Sequence, residues 1–171
     1  LGAPAIYRDE RAGLDGRPIQ IAKFRSMTAA TGPDGGLLPD ADRLGPFGRF
    51  LRRTSLDELP QLLSVLAGDM SLVGPRPLPV RYVARYTPRQ ATRLLVRPGL
   101  TGWAQIHGRN AVAWPERLEY DAEYVESMQF WTAPLTDFWI VLVTFVQIVC
   151  QGITGRGVSA PGSATMQEFF P

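Results

Sequence analysis

The chain has 171 residues, 45% of them hydrophobic and 20% charged, with a formal net charge of +2. That composition can bury one sizeable core and argues against general disorder, so one compact domain over residues 1–171 is expected. The single Cys150 excludes an internal disulfide or a multi-cysteine metal cluster, and the single His107 leaves no two-histidine zinc motif; serine-nucleophile triads find little support either.

The first residue is Leu1 rather than Met, as expected of a fragment or a processed product whose natural beginning lies upstream. Residues 4–8 and 18–24 read as two short strands. Gly13-Leu14-Asp15-Gly16 between them supports a hairpin with a slightly long loop. Lys23-Phe24-Arg25-Ser26-Met27 ends the second strand, and residues 31–42, with Gly-Pro-Asp-Gly-Gly, read as an exposed loop. No Gly-Lys-Ser/Thr follows that loop, so it is no P-loop.

Phe47-Gly48-Arg49-Phe50-Leu51-Arg52-Arg53 forms a short basic amphipathic segment. After it, Leu59, Leu62, Leu63, Val65 and Leu66 give a helical apolar stripe that stops at Gly68, in the usual C-terminal place. Gly68 to Pro77 cannot continue as regular helix past Val73, and prolines on either side of Arg76 fix its backbone. Thr87 can cap a helix opening at Pro88, with Arg89 and Arg93 four residues apart on one face, most simply a solvated one. A second rigid turn begins at Arg97-Pro98-Gly99 and runs to Arg109-Asn110. Residues 114–124 read as a further helix with a solvated acidic face.

The stretch 135–153 is the most apolar, yet Asp137, Gln147 and Gln151 bound it, so it falls short of the roughly 20 residues a spanning helix needs. A buried core helix and a helix lying in the membrane interface, helped by Trp131 and Trp139, are both compatible with it.

Charge is unevenly spread. From Arg76 to Arg117 there are eight arginines against one acid, Glu116, a middle built to meet anions. Within Arg52-Arg53-Thr54-Ser55-Leu56-Asp57-Glu58, two carboxylates follow two guanidiniums where a helix should open. Carboxylates repel phosphates unless a divalent cation or arginines intervene, so this grouping suggests a metal-assisted site for an anionic substrate. Ser55 followed three residues later by Glu58 is also a capping box, which any helix start can use. An arginine-rich nucleic-acid-binding module and a noncatalytic membrane-surface scaffold are rival readings of the same features.

Four motifs occur in order: Lys23-Phe24-Arg25-Ser26-Met27, Ser55-Leu56-Asp57-Glu58-Leu59-Pro60-Gln61, Gly68-Asp69-Met70-Ser71-Leu72-Val73-Gly74-Pro75-Arg76-Pro77, and Arg97-Pro98-Gly99-Leu100-Thr101-Gly102-Trp103-Ala104-Gln105. Together they resemble the bacterial sugar transferases, monotopic phosphoglycosyl transferases, over essentially the whole chain. The resemblance implies transfer of a sugar phosphate from a UDP-sugar to polyprenyl (undecaprenyl) phosphate, with release of UMP, at the cytoplasmic face of the bacterial inner membrane and with no nucleic-acid partner. It implies that Asp57 is the nucleophile, forming an aspartyl phosphosugar intermediate, with Glu58 beside it and Mg2+ held at the pair. Arg52 would contact the phosphate of the lipid carrier, and Arg76, Arg97 and Arg109 the nucleotide sugar. Lys23 and Arg25 are phosphate neighbours or ties between hairpin and core.

Family members carry an N-terminal hydrophobic re-entrant hairpin ahead of the segment matching residues 1–8, and the expectation here is that it was truncated or lost. Membrane attachment would then fall to residues 47–51 and 135–149. Residues 157–166 resemble the small members that transfer N-acetylated amino sugars. The fold expected is a helix-rich α/β (α+β) unit around a small N-terminal hairpin, with amphipathic helices at the membrane interface. It should be neither Rossmann nor P-loop, since alternating parallel strands are lacking.

Overall fold

A computed structural model describes residues 4–108, 112–128, 133–154 and 169. Strands β1 (Ile6–Ala12) and β2 (Pro18–Phe24) form the antiparallel hairpin, in register from Ile6 opposite Phe24 to Ala12 opposite Pro18. The first strand runs four residues further than the sequence suggests. Its charged middle, Arg8-Asp9-Glu10-Arg11, looks like loop but lies on an open two-stranded ribbon where side chains reach solvent. The far end of β1 is pinned to the core, because the Ala12 amide donates to the Leu78 carbonyl at 2.9 Å.

The loop at 31–42 closes on itself through a Thr31–Leu37 bridge and ends in one helical turn, α1 (Asp40–Arg43). Helix α2 (Pro46–Arg53) starts with proline in its first turn, where the missing N–H costs nothing. A 3-10 turn, Leu56–Gln61, and the short α3 (Leu62–Leu66) replace the single helix expected there. Pro60 inside the turn is the reason: it has no N–H for an α-helical ladder. The leucine stripe does not face a core either, since Leu59, Leu62, Leu63 and Leu66 are all exposed.

The two rigid turns lie side by side. β3 (Ser71–Val73) and β4 (Gly99–Thr101) pair in parallel, a contact absent from the sequence expectation, and the Ser71 amide donates to Pro98 while the Gly74 amide donates to Thr101. Glycine permits the approach. A Cβ on Gly99 would sit 2.1 Å from the Gly74 nitrogen, and one on Gly102 would sit 2.2 Å from the Gly74 carbonyl oxygen.

Between these turns, Thr87 caps α4 (Pro88–Ala91) in a capping box with Gln90, as expected. Arg89 is solvated and pairs with Glu119 and Glu126. Arg93 is not on that face: it is 4% exposed and pairs with Asp121 at 2.9 Å. Asp121 lies on α6 (Trp114–Ser127), which follows α5 (Trp103–Ile106). Leu118, Asp121, Ala122 and Val125 recur at helical spacing on the buried side of α6, so one of its acids sits in the core rather than in water. Around α6 gather two apolar groups, Val73, Tyr124, Val125 and Ile140 in one, Leu78, Tyr82, Leu118 and Phe169 in the other.

Helix α7 (Ala133–Thr154) has 22 residues and is apolar enough to cross a membrane by length and composition. The shorter extent read from the sequence and the buried-helix alternative both give way here, for only Ile140 and Gln151 are buried while Leu135, Phe138, Trp139, Leu142, Phe145, Val146 and Ile153 are exposed. One side is tied down by polar bonds. The Tyr124 hydroxyl donates to Asp137 at 2.8 Å, the Thr101 and Thr144 hydroxyls meet at 2.6 Å, and Gln147 Nε2 donates to the Ile106 carbonyl at 3.0 Å.

The contact between the two turns predicts a sharp contrast between glycines. Gly99→Ala should lower stability by about 3 kcal/mol or more through forced separation of β3 and β4, read as a lower urea midpoint. Gly152→Ala, in open space on α7, should leave the midpoint unchanged or raise it slightly.

Candidate active site

The acid pair owes its position to a sharp change of direction. Thr54 closes α2, its hydroxyl donating back to the Phe50 carbonyl at 2.9 Å, and Ser55 then adopts the left-handed conformation at φ 56°. A non-glycine residue there costs on the order of 1 kcal/mol, so packing must hold it. The turn folds the chain back so that Arg52 from α2 and Asp57 and Glu58 from the 3-10 turn share one neighbourhood. Ser55 makes no side-chain cap bond, and Glu58 reaches away from it; the capping-box reading does not hold.

Glu58 is gripped from two directions. Arg76 Nη1 donates to Oε2 at 3.3 Å, Arg76 Nη2 donates to Oε1, and Lys23 Nζ donates to Oε1 at 2.7 Å. Burial opposes its charge, but Arg76 and Lys23 outweigh burial and hold its carboxyl well below the usual carboxylate range. Lys23 in turn is lowered from the ordinary lysine value, by burial first and by the Arg76 charge second.

Asp57 is treated differently. It is 9% exposed and has no hydrogen bond or ion pair with any described residue. Burial and then the Glu58 charge push its carboxyl upward, while Lys23, Arg52 and Arg76 pull the other way. Neighbouring carboxylates are thus split: one locked as a structural anion, the other desolvated and uncommitted. Such a split is the arrangement that acid–base and nucleophilic sites use.

Arg52 is placed by close contact of α2 with the chain after β2. A Cβ on Gly48 would lie 1.8 Å from the Ser26 carbonyl oxygen, and one turn later Arg52 Nε donates to Ser26 Oγ at 2.9 Å and Nη2 contacts Met27 Sδ at 2.8 Å. The structure therefore gathers Lys23, Arg52, Asp57, Glu58 and Arg76. Arg25 instead clasps the hairpin, its Nε donating to the Pro4 carbonyl at 2.8 Å. Arg97 is exposed, and no ion pair or hydrogen bond joins its side chain to the acids. Arg109 lies outside the described residues.

Among the described residues no three His, Cys, Asp or Glu side chains converge. A hard cation at the pair would find Asp57 without a hydrogen-bonded cation beside it, and both Glu58 oxygens already contacted. That suits a magnesium ion that keeps water and substrate phosphate oxygens as most of its ligands, rather than one caged by protein. Three cations around a free carboxylate would draw in a phosphate electrophile and hold it against that carboxylate.

Sequence reasoning did not identify Ser26, Gly48, Arg93 or Asp121 as parts of this arrangement. Asp121 was within reach, since it alone breaks the apolar i, i+3, i+4, i+7 side of α6. The Gly48 contact leaves no such trace.

Comparison with known proteins meets the same motifs. The sequence profile described as bacterial sugar transferase matches residues 1–151. The chain is 43% identical over 169 residues to the uncharacterized sugar transferase EpsL of Bacillus subtilis (strain 168), covering 99% of this chain and 80% of that protein. It is 42% identical to the UDP-glucose:undecaprenyl-phosphate glucose-1-phosphate transferase of Escherichia coli (strain K12), over 75% of this chain and 30% of that one. Against the undecaprenyl-phosphate galactose phosphotransferase of Salmonella typhimurium it is 40% identical, over 76% of this chain and 31% of the other. The chain thus spans less than a third of the last two proteins. With the profile running through the hairpin, the acid pair and both glycine–proline turns, the chain belongs to the bacterial sugar transferase family.

Proposed function

We propose that this chain transfers a sugar 1-phosphate from a UDP-sugar to polyprenyl phosphate by way of a covalent aspartyl phosphosugar. The observation that carries the reading is the split acid pair: Asp57 uncommitted beside Glu58, which Arg76 and Lys23 neutralise. The activities for which the Escherichia coli and Salmonella relatives are named support the same substrates.

In the first half-reaction an Asp57 oxygen attacks the sugar-bearing phosphorus. The Asp57–phosphorus bond forms as the bond to the bridging oxygen breaks, and UMP departs with that oxygen and its electron pair. In the second, a phosphate oxygen of the lipid carrier attacks the same phosphorus and the Asp57 carboxylate leaves, giving polyprenyl diphosphate sugar. A carboxylate is a weak nucleophile, so alignment and charge do most of the work. Lys23 and Arg76, by holding Glu58, keep an anion fixed behind the nucleophile without letting it repel the donor. Arg52, steadied by Ser26, takes the phosphate of the carrier in this reading. Mg2+ at the acid pair, with Asp57 and Glu58 nearby, supplies charge neutralisation for the diphosphate when bound. Arg97 and Arg109 belong to this reading as donor-binding side chains.

The exposed apolar side of α7, together with Phe47 and Phe50 stacked on α2, supports attachment to a membrane surface, which this reading takes to be the cytoplasmic face of the bacterial inner membrane. Polar bonds from Asp137 to Gln147 hold α7 along the domain, as a monotopic protein requires. The tail at 157–166, outside the described residues, is the basis for including N-acetylated amino sugars among the donors.

Three outcomes follow. Magnesium-dependent UMP release should occur with a member of a UDP-sugar panel and polyprenyl phosphate, and correctly folded Asp57→Asn should lose about 10³-fold or more; parental release by that variant would remove Asp57 as nucleophile. Observed by 13C NMR, the Asp57 carboxyl should titrate above the ordinary aspartate value and so be in the less reactive acid form at low pH. Its midpoint should fall in Glu58→Gln, which removes a neighbouring negative charge, and rise in Arg52→Gln, which removes a positive one; opposite movements would contradict the charge assignment. Phe50→Asp should weaken sedimentation with anionic phospholipid vesicles by about tenfold or more, whereas a substitution without effect would place the membrane contact elsewhere.

A further inference from the structure

Arg93 sits on the 3-10 turn Thr92–Leu95, buried, with its guanidinium committed to three groups. Nη2 donates to the Arg76 carbonyl at 2.6 Å and pairs with Asp121 Oδ2 at 2.9 Å, while Nη1 donates to the Tyr86 hydroxyl at 2.9 Å. Asp121 is itself 1% exposed. A buried ion pair is an inefficient source of stability, and apolar side chains of equal volume would hold this core as well or better. A pair kept only for its own attraction would also take the two-pronged arginine–carboxylate geometry. This one does not. Asp121 Oδ1 and Arg93 Nε are left without hydrogen-bond partners, and the other donor positions go to Tyr86 and to main chain.

The main chain concerned is the Pro75-Arg76-Pro77 turn. Its prolines restrict rotation but bring no N–H groups, so the segment has to be fastened through its carbonyls. Pro75 accepts from the Gly99 amide at 2.9 Å, Leu78 accepts from the Ala12 amide at 2.9 Å, and Arg76 between them accepts from Arg93. A cavity of about 10 Å³ bounded by Arg76, Tyr86 and Arg93 has room for a single water at most, so these groups do not form a substrate pocket.

We infer that Arg93, held by Asp121 and Tyr86, is a positioning residue for the transfer: it fixes the main chain of Arg76 and so aims the guanidinium that grips Glu58 beside Asp57. The inference rests on the proposed function for its consequence in rate, though the contact itself can be tested without turnover. Arg93→Lys is the informative change. Lysine keeps a buried positive charge for Asp121, but one ammonium cannot reproduce the fork that reaches Asp121, Tyr86 and the Arg76 carbonyl together.

With the full chain, a UDP-sugar donor and polyprenyl phosphate, Arg93→Lys should lower kcat about 10- to 100-fold with little change in KM for the donor. In an Arg76→Ala background, single-turnover measurement should show that Arg93→Lys costs no further rate. The same loss in both backgrounds would mean that Arg93 acts independently of Arg76 and would overturn the inference. A second arm follows thermal unfolding of Arg93→Lys, Glu58→Gln and the double variant. The fall in Tm should be less than additive, because the Glu58 substitution already releases what Arg93 aims; strict additivity overturns the inference as well. That arm needs no catalysis, so a parent protein releasing no UMP from any UDP-sugar would remove the proposed function while the contact is still decided. Tyr86→Phe, which withdraws one hydroxyl and leaves the ion pair, replaces Arg93→Lys in both arms if the lysine variant does not fold.

Discussion

The site is organised by one half-buried anion. Glu58 is the point at which three separate pieces of chain converge: the hairpin through Lys23, the 3-10 turn that carries it, and the proline-bounded turn through Arg76. Taking a carboxylate out of water costs several kcal/mol unless partners satisfy it, and here two cations meet on Oε1 while Arg76 also reaches Oε2. Once that clasp is made, Asp57 has little freedom, being adjacent in sequence and itself buried. Its own lack of partners follows: Lys23 and Arg76 are committed to its neighbour and Arg52 to Ser26 and Met27, so all three act on it only at a distance.

What keeps the clasp in place is backbone packed at distances that side chains would prevent. Gly48 lets α2 lie on the Ser26 carbonyl, and Gly74, Gly99 and Gly102 let the two turns meet as a short parallel pair. These contacts act at right angles to each other in function. One sets Arg52 relative to the hairpin, and the other sets the proline turn relative to the rest of the domain, with Arg93 and Asp121 bracing it from the α6 side.

Much of this was legible in the residues. The hairpin, the basic helix, the capped turn at Thr87 and the gathering of cations at the acid pair followed from turn chemistry, apolar spacing and charge. The misreadings have physical sources. The leucines after Pro60 carry perfect helical spacing but face outward, because a stripe reports that a face will be covered and not what covers it. Arg93 and Arg89 are equivalent on a helical wheel, yet a switch from α to 3-10 geometry between them sends one inward. The parallel pairing of β3 and β4 was hidden because each is three residues long, too short for any alternation to register. Of the residues assigned to substrate by resemblance, Lys23, Arg52 and Arg76 lie with the acids, Arg25 serves the hairpin, and Arg97 faces outward.

The basic residues of this chain are almost entirely guanidinium, and the one exception, Lys23, shares the grip on Glu58 with Arg76. The chain therefore holds a single side-chain amine, placed beside the acid pair and made easier to deprotonate by burial. Acylating and reductively alkylating reagents, which mark dozens of surface positions on an ordinary protein, have one side-chain address here, so occupancy of the site can be followed by chemical footprinting with almost no background.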